Sequence, residues 1–227
     1  MTKYKAIFLD IDDTLLDYDI CCRQAFDHAM EAICQPSSDE LFQLFFAISG
    51  RLFEEAKRGL HTIAEVMELY PAEFIERSGL PAEQLEDFKH AFRRGWGLSH
   101  AKVADADTLL QALHGRYRLF AASNSFAHLQ RQRLQLAGLS PMLEDAYVSS
   151  EIGFDKPDVR FYEEALRRCG CRPEEVLMMG DSPTTDVIGA QQAGLDTCWY
   201  NPHQKERPDL HPTYMIHTLT ELIPLLA

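Results

Sequence analysis

The chain has 227 residues, 46% of them apolar and 25% charged, the balance expected of a soluble globular protein long enough to bury a sizeable core. Its 22 basic and 35 acidic side chains leave a net charge of −13. A negative field of that size argues against a nucleic-acid polymer, which needs a basic stripe, but not against a small anion beside a divalent cation and one lysine.

The first apolar run, Ala6-Ile7-Phe8-Leu9, stops at Asp10 and is too short for a secretory leader. No stretch approaches the roughly 20 apolar residues of a membrane span. The six cysteines (21, 22, 34, 169, 171 and 198) form no Cys-x-x-Cys, which predicts reduced structural thiols in a cytoplasmic protein.

After Thr14 the pattern turns helical and stays so from about residue 17 to 100. The spacing of Cys22, Ala25, Phe26, Ala29, Met30 and Ile33 predicts a helix over Ile20 to Cys34. Ser37 and Glu40 read as a capping pair for a second helix closed by Gly59, and Thr62 and Glu65 as the pair for a third. A fourth starts near Pro81 and ends at Arg94-Gly95.

From about residue 103, helices alternate with short strands. Helix 106–113 leads to a strand at 117–122, then helix 127–137 closed by Gly138 and a strand near 146–149. Helix 159–168, strand 176–179, helix 185–193 closed by Gly194 and strand 197–200 follow. Strand 214–217 and a helix opening at Thr218 with Glu221 as partner complete the chain. Such alternation predicts right-handed crossovers and a mainly parallel sheet. Residues 1–16 and 103–227 are expected to form one α/β core, and residues 17–102 an inserted all-helical domain with hinges near Leu16-Asp17 and Gly97–Lys102.

Four segments carry the chemistry: Asp10-Ile11-Asp12-Asp13-Thr14, Ala122-Ser123-Asn124-Ser125, Lys156-Pro157 and Gly180-Asp181-Ser182-Pro183-Thr184-Thr185-Asp186. Each follows a short apolar run or lies in the loop beyond one, and open parallel sheets bind ligands beyond the carboxyl ends of their strands. A carboxylate nucleophile, an acidic metal cluster and a phosphate clamp are what phosphoryl transfer through an aspartyl-phosphate needs.

Asp10 is the candidate nucleophile, and Asp12 the acid that protonates the leaving oxygen and then, as a base, deprotonates water. Thr14, Ser123, Asn124 and Lys156 are the candidate phosphate-binding residues. Thr14 also shapes its own loop, Asn124 helps hold its turn, Ser123 offers a hydroxyl and backbone N–H groups, and Lys156 neutralises nucleophile and phosphate together. Asp10, Asp181 and Asp186 are candidate Mg²⁺ ligands, Asp186 directly or through water. An EF-hand would need Gly and Glu where Leu15 and Cys21 stand. A receiver-type phosphoacceptor would need an Asp where Ser123-Asn124 stands, and the nine dispersed histidines make no Ser/His/Asp triad.

In order and spacing, these segments resemble the motifs of the haloacid-dehalogenase superfamily of phosphohydrolases, with Gly153-Phe154-Asp155-Lys156-Pro157-Asp158 resembling its third motif. The resemblance covers the whole chain. It implies a Rossmann-like three-layer α/β core, a helical cap closing over it, Mg²⁺, an aspartyl-phosphate, and the Asp12 backbone carbonyl as a further metal ligand. Members that dehalogenate without metal lack the second aspartate, which is present here as Asp12. Phosphonate cleavage uses a cap lysine, and Lys57, Lys89 and Lys102 lie in no apolar pattern that would activate one.

Two further stretches, Arg58–Val66 and Ala193–Pro202 continuing to Pro212-Thr213-Tyr214, resemble the bacterial pyrimidine 5′-nucleotidase branch. The expectation is therefore a phosphomonoesterase for a small phosphorylated metabolite, a pyrimidine nucleoside monophosphate, with Tyr18, Phe46, Phe53 and Trp96 as rings that either stack on a base or pack the cap. A sugar-phosphate or phosphoglycolate phosphatase, a phosphomutase, and a non-catalytic phosphate-binding module are the alternatives. The sequence is compatible with both a monomer and a homodimer.

Overall fold

Five phenylalanines, Phe26, Phe45, Phe74, Phe88 and Phe92, make the centre around which the helical part of the chain folds. The structure, a computed structural model, describes residues 3–226. These fall into two units: Tyr18–Ser99 forms one, and the chain up to Asp17 together with the chain from His100 onward forms the other.

The helical unit comprises α1 (Tyr18–Ala32), α2 (Asp39–Lys57), α3 (Ile63–Ser78) and α4 (Leu85–Leu98). The Thr62–Glu65 capping box opens α3 as the sequence predicts, with both reciprocal hydrogen bonds made. For α2 the cap falls one residue later than expected: Ser38 Oγ accepts from Leu41 N at 3.3 Å, while the Ser37 hydroxyl donates to Asp27. Gly95 does not end α4. It lies inside the helix, where an added Cβ would come within 3.0 Å of the Ala25 Cα, so its missing side chain lets α1 and α4 approach. Of the four rings that were candidates for stacking, Trp96 is buried and lies parallel to Phe92. Half-buried Tyr18 meets both Trp96 and Phe46, and Phe53 meets Tyr70.

The other unit is built on a sheet. β1 (Ala6–Leu9), β2 (Arg118–Ser123), β3 (Asp145–Val148), β4 (Val176–Gly180), β5 (Asp196–Tyr200) and β6 (Tyr214–Ile216) pair in the order β3-β2-β1-β4-β5-β6, every pair parallel. β1 is apolar throughout because both its faces are covered. Ile7 and Leu9 join Leu109, Leu110 and Leu113 of α5 (Ala106–Leu113) and Leu134 of α6 (Ala127–Leu136) on one face. Ala6 and Phe8 join Phe161, Tyr162 and Ala165 on the other; a short α7 (Ser149–Ile152) precedes α8 (Val159–Cys169), which carries them. This is a three-layer α/β core with a parallel sheet, as expected.

The segment after β4 departs from the predicted regular helix. Pro183–Ile188 winds as a wider π-type turn before the short α9 (Gly189–Gln192), a deformation common where helices carry functional groups. The last described helix, α10 (Leu222–Leu225), follows a 3-10 turn over Leu219–Glu221, ahead of which the Glu221 carboxylate accepts from His217 N. No helix among the described residues is long and apolar enough to cross a membrane.

From β1 the sheet grows outward through β2 and β3, then returns to β4 and grows the other way. The order reverses between β1 and β4, and the crevice beyond their carboxyl ends is where such a sheet can receive a ligand.

Candidate active site

Asp10 stands at that reversal. Its N–H donates to the Met179 carbonyl at 2.8 Å, so β1 remains paired with β4 one residue past its end. The chain then folds back sharply, with the Ile11 carbonyl accepting from both Leu15 N and Leu16 N at 2.8 Å. Asp13 takes the left-handed conformation, φ 60°, which aspartate tolerates better than most residues. Thr14 points its hydroxyl back at Asp10, with Oγ1 3.5 Å from Oδ2.

Lys156 joins three segments of the chain through one atom. Its Nζ donates to Asp10 Oδ1 at 2.7 Å, Asp186 Oδ1 at 2.7 Å and the Ala122 carbonyl at 2.8 Å, which uses all three ammonium protons. The three side chains are deeply buried, with Lys156 3%, Asp10 8% and Asp186 1% exposed. The Asn124 side chain fixes the backbone of this lysine, accepting from Lys156 N and donating to Lys156 O, both at 2.7 Å. Both polar ends of that amide are therefore engaged with the chain itself.

Burial pushes the Asp10 carboxyl well above the usual carboxylate range; Lys156 opposes the shift, and the negative charges of Asp186 and Asp181 add to it. Burial works against the Lys156 ammonium too, but Asp10 and Asp186 outweigh it and hold its pKa above that of an ordinary lysine.

Asp186 is reached from a loop with little freedom. Its Oδ2 accepts from Ser182 N at 3.0 Å, and Ser182 Oγ, not Asp186, caps the turn by accepting from Thr185 N. Gly180 makes room for it, since a Cβ there would lie 2.2 Å from Asp186 Oδ2. Likewise, a Cβ on Gly189 would lie 2.8 Å from Pro157 Cα, so the lysine loop packs directly on the turn that bears Asp186. Asp181 is only partly buried, and its carbonyl is anchored by the Trp199 indole N–H at 2.9 Å.

Asp10, Asp181 and Asp186 each offer a carboxylate oxygen within 4.8 Å of the others. Three carboxylates, two of them bonded to one ammonium, form the kind of oxygen-donor cluster a hard divalent cation occupies. The residues present fit such an ion.

Asp12 and Ser123 meet through residues that motif reading missed. Gln130 Nε2 donates to Asp12 Oδ2 at 2.7 Å and to Ser123 Oγ at 2.8 Å, and the fully buried Arg133 donates from Nη1 to Asp12 Oδ1 at 2.6 Å. Both sit one turn apart on α6, immediately after the Ser123-Asn124 segment. The available signal was a glutamine and an arginine at (i, i+3) on a helix whose buried positions should otherwise be apolar.

The chain matches the family model for haloacid dehalogenase-like hydrolases over residues 4–194. It is 31% identical over 228 residues to the HAD-hydrolase YfnB of Bacillus subtilis, across 100% of this chain and 97% of that protein. It is 29% identical to the pyrimidine 5′-nucleotidase YjjG of Escherichia coli, across 99% of each chain. With the pyrimidine 5′-nucleotidase PynA of Streptococcus pneumoniae it shares 30%, across 98% of this chain and 95% of the other. The crystal structure of YfnB bound to magnesium superposes with a TM-score of 0.91 over 99% of both chains, at 30% identity.

Removing the shared counter-ion tests the electrostatics directly. Lys156→Met should cost about 3–5 kcal/mol at neutral pH, because two buried carboxylates lose their partner. Asp10 already has a raised folded pKa, so its contribution to stability is present below the unfolded value and lost as pH rises through the folded one. The deficit of the variant should therefore shrink at about pH 5 relative to about pH 8 in urea denaturation without added metal. An equal deficit at both values would contradict this account.

Proposed function

This chain belongs to the haloacid dehalogenase-like hydrolase family, and we propose that it is a Mg²⁺-dependent phosphomonoesterase that hydrolyses pyrimidine nucleoside monophosphates through an aspartyl-phosphate on Asp10. The observation that carries this reading is the Lys156 ammonium bonded to Asp10 and Asp186, with Asp181 completing an oxygen cluster. On this reading the helical unit Tyr18–Ser99 serves as the cap that selects the remainder of the substrate.

One Asp10 carboxylate oxygen attacks phosphorus. As that bond forms, the bond to the ester oxygen breaks, and the Asp12 carboxyl delivers its proton to the departing alkoxide. Asp12, now a carboxylate, takes a proton from water as the water oxygen bonds to phosphorus and the acyl-phosphate bond breaks. Inorganic phosphate leaves with Asp10 restored. Lys156 orients the attacking carboxylate and offsets the charge gathered on the transferring group. Ser123 accepts from Gln130, which leaves its own proton to donate to a phosphate oxygen. Asp10, Asp181, Asp186 and the Asp12 carbonyl would hold Mg²⁺, which supplies positive charge where an anionic nucleophile must approach an anionic phosphate.

The nucleotide assignment is supported by the names borne by YjjG and PynA and by the two stretches that resemble the pyrimidine 5′-nucleotidase branch. The core groups address only the phosphate, so discrimination among bases must come from contacts to the rest of the substrate.

Asp10→Asn should fold normally and lose roughly 10³-fold or more in kcat, as loss of a covalent nucleophile does. Retention of more than about a tenth of the activity would contradict covalent catalysis. A chelator should abolish turnover, Mg²⁺ should restore it, and Ca²⁺ should support it poorly because its larger, looser shell misplaces the phosphate. Turnover undiminished in excess chelator would remove the metal from the reading.

The substrate assignment is settled by kcat/KM for UMP, dUMP, dTMP, AMP, GMP, glucose 6-phosphate and phosphoglycolate. The pyrimidine nucleotides should lead by roughly tenfold or more, which needs only about 1.4 kcal/mol of differential transition-state binding. A purine nucleotide or a sugar phosphate in the lead would leave a phosphatase that is not a pyrimidine nucleotidase.

A further inference from the structure

The residues that hold Asp12 lie outside every motif that drew attention to the site. Asp12 sits past the end of β1, in a turn stabilised by backbone bonds to Ile11, and its side chain is partly open to solvent. A carboxylate so placed has free rotation about two bonds unless something restrains it. The restraint comes from α6, where two consecutive turns present Gln130 and Arg133, both with no exposed surface.

Their contacts divide the Asp12 carboxylate between them: Arg133 Nη1 takes Oδ1 at 2.6 Å and Gln130 Nε2 takes Oδ2 at 2.7 Å. They also brace each other, since Arg133 Nη1 donates to Gln130 Oε1 at 2.8 Å. The same Gln130 amide reaches Ser123 Oγ at 2.8 Å. A buried guanidinium carries a heavy desolvation cost, so a helix facing an apolar core retains one only where an anion compensates it. Asp12 is that anion. Each carboxylate oxygen has a second lone pair, so two restraining donors still leave room for a proton to be carried and delivered.

We propose that Gln130 and Arg133 are positioning residues that aim the Asp12 carboxyl at the oxygen leaving phosphorus, and that Gln130 links this aim to the phosphate-facing hydroxyl of Ser123. The inference rests on the reading of Asp12 as the acid that protonates the leaving group. In that step the Asp12 O–H bond breaks, the proton goes to the ester oxygen, and the electron pair of the P–O bond leaves with that oxygen. Misaiming Asp12 should matter greatly when the departing group is a poor one, an alkoxide, and little when it is a stable aryloxide that needs no proton.

The test measures kcat/KM, which reports the steps through departure of the leaving group, for UMP and for p-nitrophenyl phosphate. Wild type is compared with Asp12→Asn, Gln130→Leu, Arg133→Met and Arg133→Lys, all with Mg²⁺ present. Asp12→Asn should lose roughly 10²–10⁴-fold on the alkyl ester and far less on the aryl ester. Gln130→Leu and Arg133→Met should share that bias, with losses of about 10²-fold against less than about tenfold. Arg133→Lys should recover part of the loss, and adding Arg133→Met to Asp12→Asn should bring little further bias, because both changes act through one group.

Thermal unfolding checks each variant. Gln130→Leu keeps the arginine in place and carries the test if Arg133→Met does not fold. Equal losses on both esters, full or increased activity on UMP, or an additive double variant would overturn the proposal while the Asp12 assignment stood. Absence of the bias in Asp12→Asn itself would overturn both.

Discussion

One ammonium group holds the site together. Lys156 places a full positive charge in a buried pocket between Asp10 and Asp186 and spends its third proton on the Ala122 carbonyl. Burying charges is unfavourable unless every one is paired and hydrogen-bonded, and that demand propagates outward. The end of β1, the end of β2 and the turn after β4 must all sit at hydrogen-bond distance from a single nitrogen, itself carried by the loop before α8. The Asn124 amide seats the lysine backbone, while Gly180 and Gly189 leave space that any Cβ would fill. The polar groups are thus oriented before a substrate arrives, the condition under which electrostatic stabilisation of a transition state costs no reorganisation.

The parallel sheet makes this convergence possible. β1 and β4 are neighbours in the sheet but lie far apart in the chain, so Asp10 and the Gly180–Asp186 turn emerge side by side at the strand-order reversal. β1 and its neighbours are fixed by apolar packing on both faces. The helical unit has its own aromatic core.

Those features of the fold that rest on apolar pattern were legible in the sequence. The four-residue run at Ala6–Leu9 reads as a strand buried on both faces, and the Thr62–Glu65 pair reads as a cap from side-chain chemistry alone. Expectation and structure part where two residues can serve equally or where the reason is contact across space. Ser37 and Ser38 are both of the capping type, and the second takes the role while the Ser37 hydroxyl is engaged by Asp27 across space. Gly95 looks like a terminator, yet its role is to admit Ala25 of a neighbouring helix. In the site, the motifs brought Asp10, Lys156, Asp181 and Asp186 to notice through their spacing. Gln130 and Arg133 stand out less, because α6 also carries Arg131 and Gln132, and the (i, i+3) spacing on its buried side is the one local mark that separates them.

Charge explains how so acidic a chain can receive a phosphate ester. Fully ionised, Asp10, Asp181, Asp186 and Lys156 carry a formal charge of −2, and the field of a −13 protein lies behind them. A phosphate dianion would be repelled from that cluster as it stands. A divalent cation among the three carboxylates brings the local sum to zero, and in a buried site the local sum governs because distant surface charges are screened within about 10 Å. As a carboxylate Asp12 adds nothing to the balance, since Arg133 pairs with it at 2.6 Å, and while it carries the proton it is to deliver it brings no negative charge. The second aspartate can thus stand beside the nucleophile without a further charge penalty, and the arginine that permits this sits on the helix following β2.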